Sequence, residues 1–234
     1  QHRADIEWRY WKNYQKILER DLAPAAAQRL DETTDEILDL IPNPLRKDQW
    51  DTRGLVMGSV QSGKTANYLG LICKAADAGY RVVIILTGMH NDLRSQTQQR
   101  LDEGFVGRDT RNGFVQAPLC GVGLWQTAQM PVTFTSRMQN GDFSTATAQA
   151  VGVPLDSDQV KVFVVKKHST VLRQLIEWLK TAAPNPDTYD RIPGIPLLLI
   201  DDEADQASVN TSDTWDPDDD DHKPSMINER IRTI

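Results

Sequence analysis

Two stretches of this chain carry residue types at spacings that do phosphate chemistry. Residues 58–65 read GSVQSGKT, which satisfies G-x-x-x-x-G-K-[ST] through Gly58, Gly63, Lys64 and Thr65. In that pattern glycines let backbone N–H groups converge on phosphate oxygens, the lysine reaches the β and γ phosphates, and the hydroxyl serves a magnesium ion. The expected cradle is therefore Gly58, Ser59, Val60, Gln61, Ser62, Gly63, Lys64 and Thr65. Gln61 inside it either senses the γ phosphate or braces the turn. The second stretch, PLLLIDDEAD, ends at Asp205. Four apolar residues, Leu197 to Ile200, predict a strand covered on both faces, with acids at its end. A carboxylate there holds magnesium, usually through water, while a neighbouring one orients or deprotonates the attacking water. Asp202 and Glu203 form the expected pair, so Thr65 and Asp202 are the metal candidates, and Lys64, Asp202 and Glu203 the catalytic ones. Asp201 competes for the metal. Successive strand side chains point to opposite faces, so one of the two aspartates faces the phosphates, and Asp202 leaves Glu203 as its neighbour.

Such chemistry works only where a buried strand ends and a helix begins. RGLVMG, with Leu55, Val56 and Met57, predicts that strand, and TANYLGLICKAADAG, with Leu69, Ile72, Cys73 and Ala76 at helical spacing, predicts the helix. The helix then turns its positive end toward the anion. Further on, YRVVIILTG precedes a helix from about Asn91, VKVFVVKK precedes STVLRQLIEWLK, and IPLLLIDDEAD closes the series. Strands alternating with helices predict βαβ units around a parallel sheet. Before them, IEWRYWKNYQKIL sets Trp8, Trp11, Tyr14 and Leu18 on one helix face, a packing stripe. A second helix, LDETTDEILDLI, stops at Pro42 and Pro44. Between Gly104 and Asp158 periodicity fades, which predicts loops and short elements. The expected organisation is a helical extension over residues 1–45 and an α/β lobe over 46–234.

At 234 residues, 39% hydrophobic and 25% charged, the chain has the composition of a folded domain with one sizeable core. A net charge of −7 argues against a generally basic nucleic-acid coat and leaves room for a local basic groove. Cys73 and Cys120 have neither disulfide-framework numbers nor metal-ligand spacing, and His90 and His168 have no zinc partner spacing. The tract WDPDDDD, from Trp215 to Asp221, lacks the glycine and final glutamate of a calcium loop and reads as a solvated connection. No run reaches the ~18 apolar residues of a membrane span, and no signal segment opens the chain, so a cytoplasmic protein is expected. A start at Gln1 and a stop at Ile234 within a helical pattern predict a piece of a longer protein.

Asp202 to Asp205 spell the DEAD sequence of superfamily 2 helicases. More narrowly, RGLVMGSVQSGKTANYLGLICKAADAGYRVVIILTGMHNDLRSQTQQRLDEGFVG followed by LLIDDEADQAS resembles the Z-one domain family of bacterial proteins, described as endonucleases and associated with restriction and other defence loci. The resemblance runs from about Trp11 to Ile234. It implies a RecA-like P-loop NTPase lobe (Walker A and Walker B motifs, ATP and Mg2+ as cofactors) acting as a helicase-like, DNA-dependent ATPase in a defence complex. It also implies a T-A-T-P segment and a second, arginine-bearing lobe after Ile234, without which hydrolysis by this lobe is weak. HNDLRSQ stands where those helicases carry T-R-E-L-A-x-Q against the nucleic-acid backbone. Leu93 and Gln96 match it, and for Asn91 and Arg94 a phosphate contact and a structural role are both open. VFVVKKHSTVLRQL resembles their strand–T-P-G-R–helix segment, with Lys166 and Lys167 where Thr and Pro would stand and Ser169 supplying a hydroxyl. DNA, the second lobe and other defence proteins are the implied partners. Two other classes stay open: a nucleotide-gated interaction module, and an endonuclease subunit with its cutting site elsewhere, since no separated Asp with a nearby Glu-x-Lys is present here.

Overall fold

A computed structural model describes residues 3–46, 48, 50–57, 63–114, 116–125, 129–181, 192–205, 208 and 225–234. Its first helices are α1 (Tyr10–Asp21) and α2 (Pro24–Leu40). Pro24 sits in the first turn of α2, where its missing N–H costs nothing. Helix α3 (Lys64–Ala78) ends on Gly79, whose φ of 118° suits glycine. Strand β1 (Val82–Thr87) and helix α4 (Asn91–Leu101) follow, and α4 runs on into a π-helical turn, Asp102–Val106. The remaining elements are β2 (Val132–Thr133), α5 (Thr145–Val151), β3 (Lys161–Lys166), α6 (Ser169–Lys180), β4 (Leu197–Asp201) and α7 (Met226–Thr233). The chain is α/β, with seven α-helices among the described residues and a four-stranded sheet whose pairings are all parallel, in the order β2-β3-β1-β4. Val82 faces Lys161 on one side and Leu197 on the other, and Leu86 lies opposite Asp201.

Strand alternation divides the core between the two sheet faces. Val83, Ile85, Val162 and Val164 pack with Trp11, Tyr14, Ile72, Cys73 and Phe105 on one face. Val82, Ile84, Leu86, Phe163 and Val165 pack with Phe134, Phe143, Leu172 and Leu175 on the other. The N-terminal helices belong to the first face rather than standing apart from it. Asp77 of α3 accepts from the backbone N–H groups of Arg9, Tyr10 and Trp11 at 3.1, 3.0 and 2.9 Å, capping the start of α1. Lys74, buried in α3, reaches Asp31 and Asp35 of α2 at 2.5 Å each and lies 4.3 Å from the Trp11 ring centroid.

One expected element is absent. Residues 51–57, read from the sequence as holding the strand before the phosphate loop, have no regular structure, and Leu55, Val56 and Met57 are 77%, 59% and 86% exposed. Three apolar residues between Gly54 and Gly58 are a weak strand former, and a strand exists only where a sheet edge pairs with it. Among the described residues β4 pairs with β1 alone. No helix among the described residues is long and apolar enough to cross a membrane.

Candidate functional site

The stretch expected from the sequence to be a phosphate loop is described from Gly63 onward, and Gly58, Ser59, Val60, Gln61 and Ser62 lie outside the described residues. Gly63 caps α3 with φ 77° and ψ 21°, a left-handed conformation open to glycine and strained for other residues. It contributes no side-chain cap to this 15-residue helix, and N–H groups of a helix's first turn are the donors an anion takes. Lys64 is exposed and Thr65 half-buried. Around this helix start lies a hollow of about 570 Å³. Its walls come from α1 (Tyr14, Ile17), from α3 (Gly63 to Ala66, Leu69) and from the end of α4 with the π-helical turn (Arg100, Glu103, Gly104). A smaller hollow of about 310 Å³ between the first three helices is lined by Trp8, Trp11 and the paired charges of Arg3, Asp31, Asp35 and Lys74. Those charges satisfy one another and serve packing.

At the carboxyl end of β4 the three acids part ways. Asp201 closes the strand and pairs with Lys167 at 2.5 Å. Lys167 is fully buried and also donates to the carbonyl oxygens of Asp202 and Glu203, at 3.0 and 2.5 Å. Asp202 stays in register through its N–H to Leu86 O at 2.9 Å. Glu203 has φ 62°, an uncommon conformation for a non-glycine residue, held by the carbonyl contact from Lys167. The side chain of Glu203 is exposed. Lys167 thus engages the Asp201 carboxylate, whereas Asp202, the acid favoured in the sequence because Glu203 then stands next to it, has no salt bridge among the described residues.

Tyr68 lies one turn along α3 from Thr65. Burial pushes its phenol up to about 12, and the charge of Asp202 adds to the rise, while the Thr65 and Thr97 hydroxyls and Arg100 oppose it. The Tyr68 hydroxyl is buried and makes no well-formed hydrogen bond. A hydroxyl and one carboxylate are hard oxygen donors that suit magnesium, which keeps several waters and takes its remaining ligands from phosphate. Among the described residues no group of three or more His, Cys, Asp or Glu could hold a metal, so a metal here depends on that smaller set. Thr65 Oγ1 accepts from Arg100 Nη1 at 2.7 Å.

Of the residues placed on a nucleic-acid face by resemblance, Arg94 and Lys167 are buried, Asn91, Lys166 and Ser169 are half-buried and Gln96 is exposed. Arg94 is fully buried and donates to the carbonyls of Ser136, Met138 and Gly141 at 2.7, 2.6 and 3.2 Å. Its role here is a clamp on the loop after β2, whose inward carbonyls need donors, and not the phosphate contact that the sequence left open. Burial also pulls its pKa down, against the opposing charge of Asp142. Lys167 is buried in its pairing with Asp201, so it too departs from the expected contact. Lys166 is half-buried, 3.8 Å from Asp142. The carbonyl and hydroxyl of Ser169 both accept from Arg230 of α7. Asn91 begins α4 half-buried, and Gln96 is exposed. His90 and His168 stand as N-caps of α4 and α6. The acidic tract at Trp215 to Asp221 lies outside the described residues.

Sequence reasoning missed Arg100, Tyr68 and the pairing role of Lys167. For Tyr68 a signal existed, since a residue three positions after Thr65 shares its helix face. Arg100 and Lys167 reach partners 35 and 34 positions away, beyond any local pattern. Comparison with protein-family models, with curated proteins and with solved structures gives no match.

Proposed function

We propose that this chain is a RecA-like P-loop lobe that binds ATP with magnesium and hydrolyses it, coupled to DNA in a bacterial defence or restriction-associated complex. The observation that carries the ATP reading is that α3 opens on Gly63 in the left-handed conformation with Lys64 and Thr65 in its first turn, while Asp202 stands at the carboxyl end of β4, its N–H bonded to Leu86 O at 2.9 Å. Ligands of open parallel sheets bind beyond the carboxyl ends of the strands. Lys64 stabilises the β and γ phosphates, Thr65 and Asp202 hold the metal, and Glu203 orients the attacking water. Magnesium, when bound, neutralises charge on the transferring phosphate. Lys167 holds the carbonyls of Asp202 and Glu203 and so positions both acids.

ATP with magnesium at about ten times its dissociation constant stabilises such a fold by roughly 1.4 kcal/mol. For a chain of this size that raises Tm by about 3 to 6 °C. Lys64→Ala removes the rise, and a variant that keeps the full rise sinks the assignment.

The burial of Arg94 and Lys167 and the engagement of Ser169 by Arg230 support a second reading, a nucleotide-gated interaction module that does not move along DNA. Phosphate release by the full-length protein separates the two. Stimulation by single-stranded DNA supports the motor, and an unchanged rate supports the module.

A further inference from the structure

Arg100 is an exposed residue near the end of α4, yet its guanidinium is held on Thr65 Oγ1 at 2.7 Å. It borders the same hollow as Gly63 and Lys64. A hydroxyl does not neutralise a guanidinium as a carboxylate would, so the contact holds a positive charge beside the phosphate cradle, with Glu103, which borders the same hollow and accepts from Gln99 Nε2 at 3.0 Å, as the nearby carboxylate among the described residues. Thr65 then has two claimants. The oxygen that accepts from Arg100 is the one a phosphate loop offers to magnesium, and two cations on one oxygen repel each other.

We infer that Arg100 is a cationic placeholder for magnesium: its guanidinium supplies charge to the triphosphate of a nucleotide that arrives without metal, and yields Thr65 to a nucleotide that arrives with it. The inference rests on the phosphate-loop reading above. Its consequence is a redundancy between one side chain and one ion. Without metal, Arg100 adds its charge to that of Lys64 near Thr65, so metal-free ATP draws on Arg100 as well as on Lys64. Magnesium-bound ATP brings that charge itself.

The test is titration of a fluorescent ATP analogue into the 234-residue chain, once with EDTA and once with saturating magnesium. Arg100→Gln weakens metal-free binding about tenfold or more, the size of a lost charge-assisted contact. In magnesium the same variant changes the dissociation constant by less than about threefold, well below one such contact. Arg100→Lys keeps the charge and recovers most of the metal-free affinity. Equal weakening in both media makes Arg100 an ordinary phosphate contact and overturns the placeholder. No change in either medium, or no metal-free binding by the unaltered chain, overturns it as well. Thermal melting without nucleotide checks each variant's fold, and Arg100→Met replaces Arg100→Gln if the latter melts early. Lys64→Ala keeps the two failures apart: full binding by that variant defeats the nucleotide reading itself, whatever Arg100 does.

Discussion

The two halves of the proposed phosphate site are built to different standards. The acidic half is a paired strand: β4 lies in register with β1, and Lys167 fixes Asp201 by charge and the next two residues by their carbonyls. The phosphate-loop half has a well-packed helix, α3, but the segment before it, residues 51–57, lies exposed and without regular structure. Both halves carry apolar runs followed by chemistry-bearing residues. What separates them is partnership, since Leu197 to Ile200 have β1 beside them and, among the described residues, no strand pairs with Leu55 to Met57. A strand is a property of a pair, and a motif's chemistry can be spelled out where its pair is not.

The largest effect that bears on this contrast is expected at Lys167. Lys167→Met leaves Asp201 as an unpaired, largely buried charge, which costs about 3–5 kcal/mol. At roughly 2–4 °C per kcal/mol, Tm falls by about 6 to 20 °C in thermal denaturation. Combining it with Asp201→Leu restores much of the loss, because a well-packed apolar pair replaces a buried ion pair at little cost. A single variant that melts like the parent would mean that the acidic half is no better anchored than the other.

The helix side of the loop half has its own buried anchor, and this one responds to pH. Asp102 begins the π-helical turn that carries Glu103 and Gly104 into the hollow, and it accepts from Gln98 Nε2 and from the N–H and hydroxyl of Thr110. Burial raises its pKa to about 6 in spite of those donors. The folded state therefore holds its proton more tightly than the unfolded one. The stability this contributes is full below the unfolded value near 3.9 and is lost as pH rises through about 6. Relative to the parent, Asp102→Asn gains on the order of 2 kcal/mol between pH 4 and pH 7, read from denaturant unfolding at each pH. A constant difference across that window would place the ionised carboxylate comfortably among its donors.

The smallest effect falls on the unpaired segment. Met57→Ser changes stability by less than about 0.5 kcal/mol, as surface substitutions do. A loss of 2 kcal/mol or more would show that Met57 is buried in solution and would erase the contrast drawn above.

Much of the fold was legible because its signals are local. The start of α4 at Asn91 and the whole of α6, Ser169–Lys180, follow from helical periodicity after a strand and its polar turn. The continuous apolar runs that became β1, β3 and β4 identify buried parallel strands for the same reason. Gly63, Lys64, Thr65 and the acidic cluster were legible as chemistry. Their surroundings were not. Nothing in VFVVKK shows that Lys167 turns into the interior, and nothing in TQQR shows that Arg100 reaches back to α3, because both contacts are made by the closed fold and not by the neighbouring sequence. The strand expected at RGLVMG failed in the opposite direction, since a local apolar signal was present and its long-range partner was not.

The sheet order carries a consequence for how the chain folds. β1 lies between β3 and β4, and its partners are roughly 80 and 115 residues further along, so no strand pair that includes β1 closes a short loop. The helical contacts among α1, α2 and α3 are local by comparison and can form early. At about 5 to 20 residues per second of synthesis, Val82 to Thr87 leave the ribosome roughly 4 to 16 seconds before β3 exists to pair with them. For that interval VVIILT is an unpaired apolar segment, and the helices already gathered on α3 are its available cover.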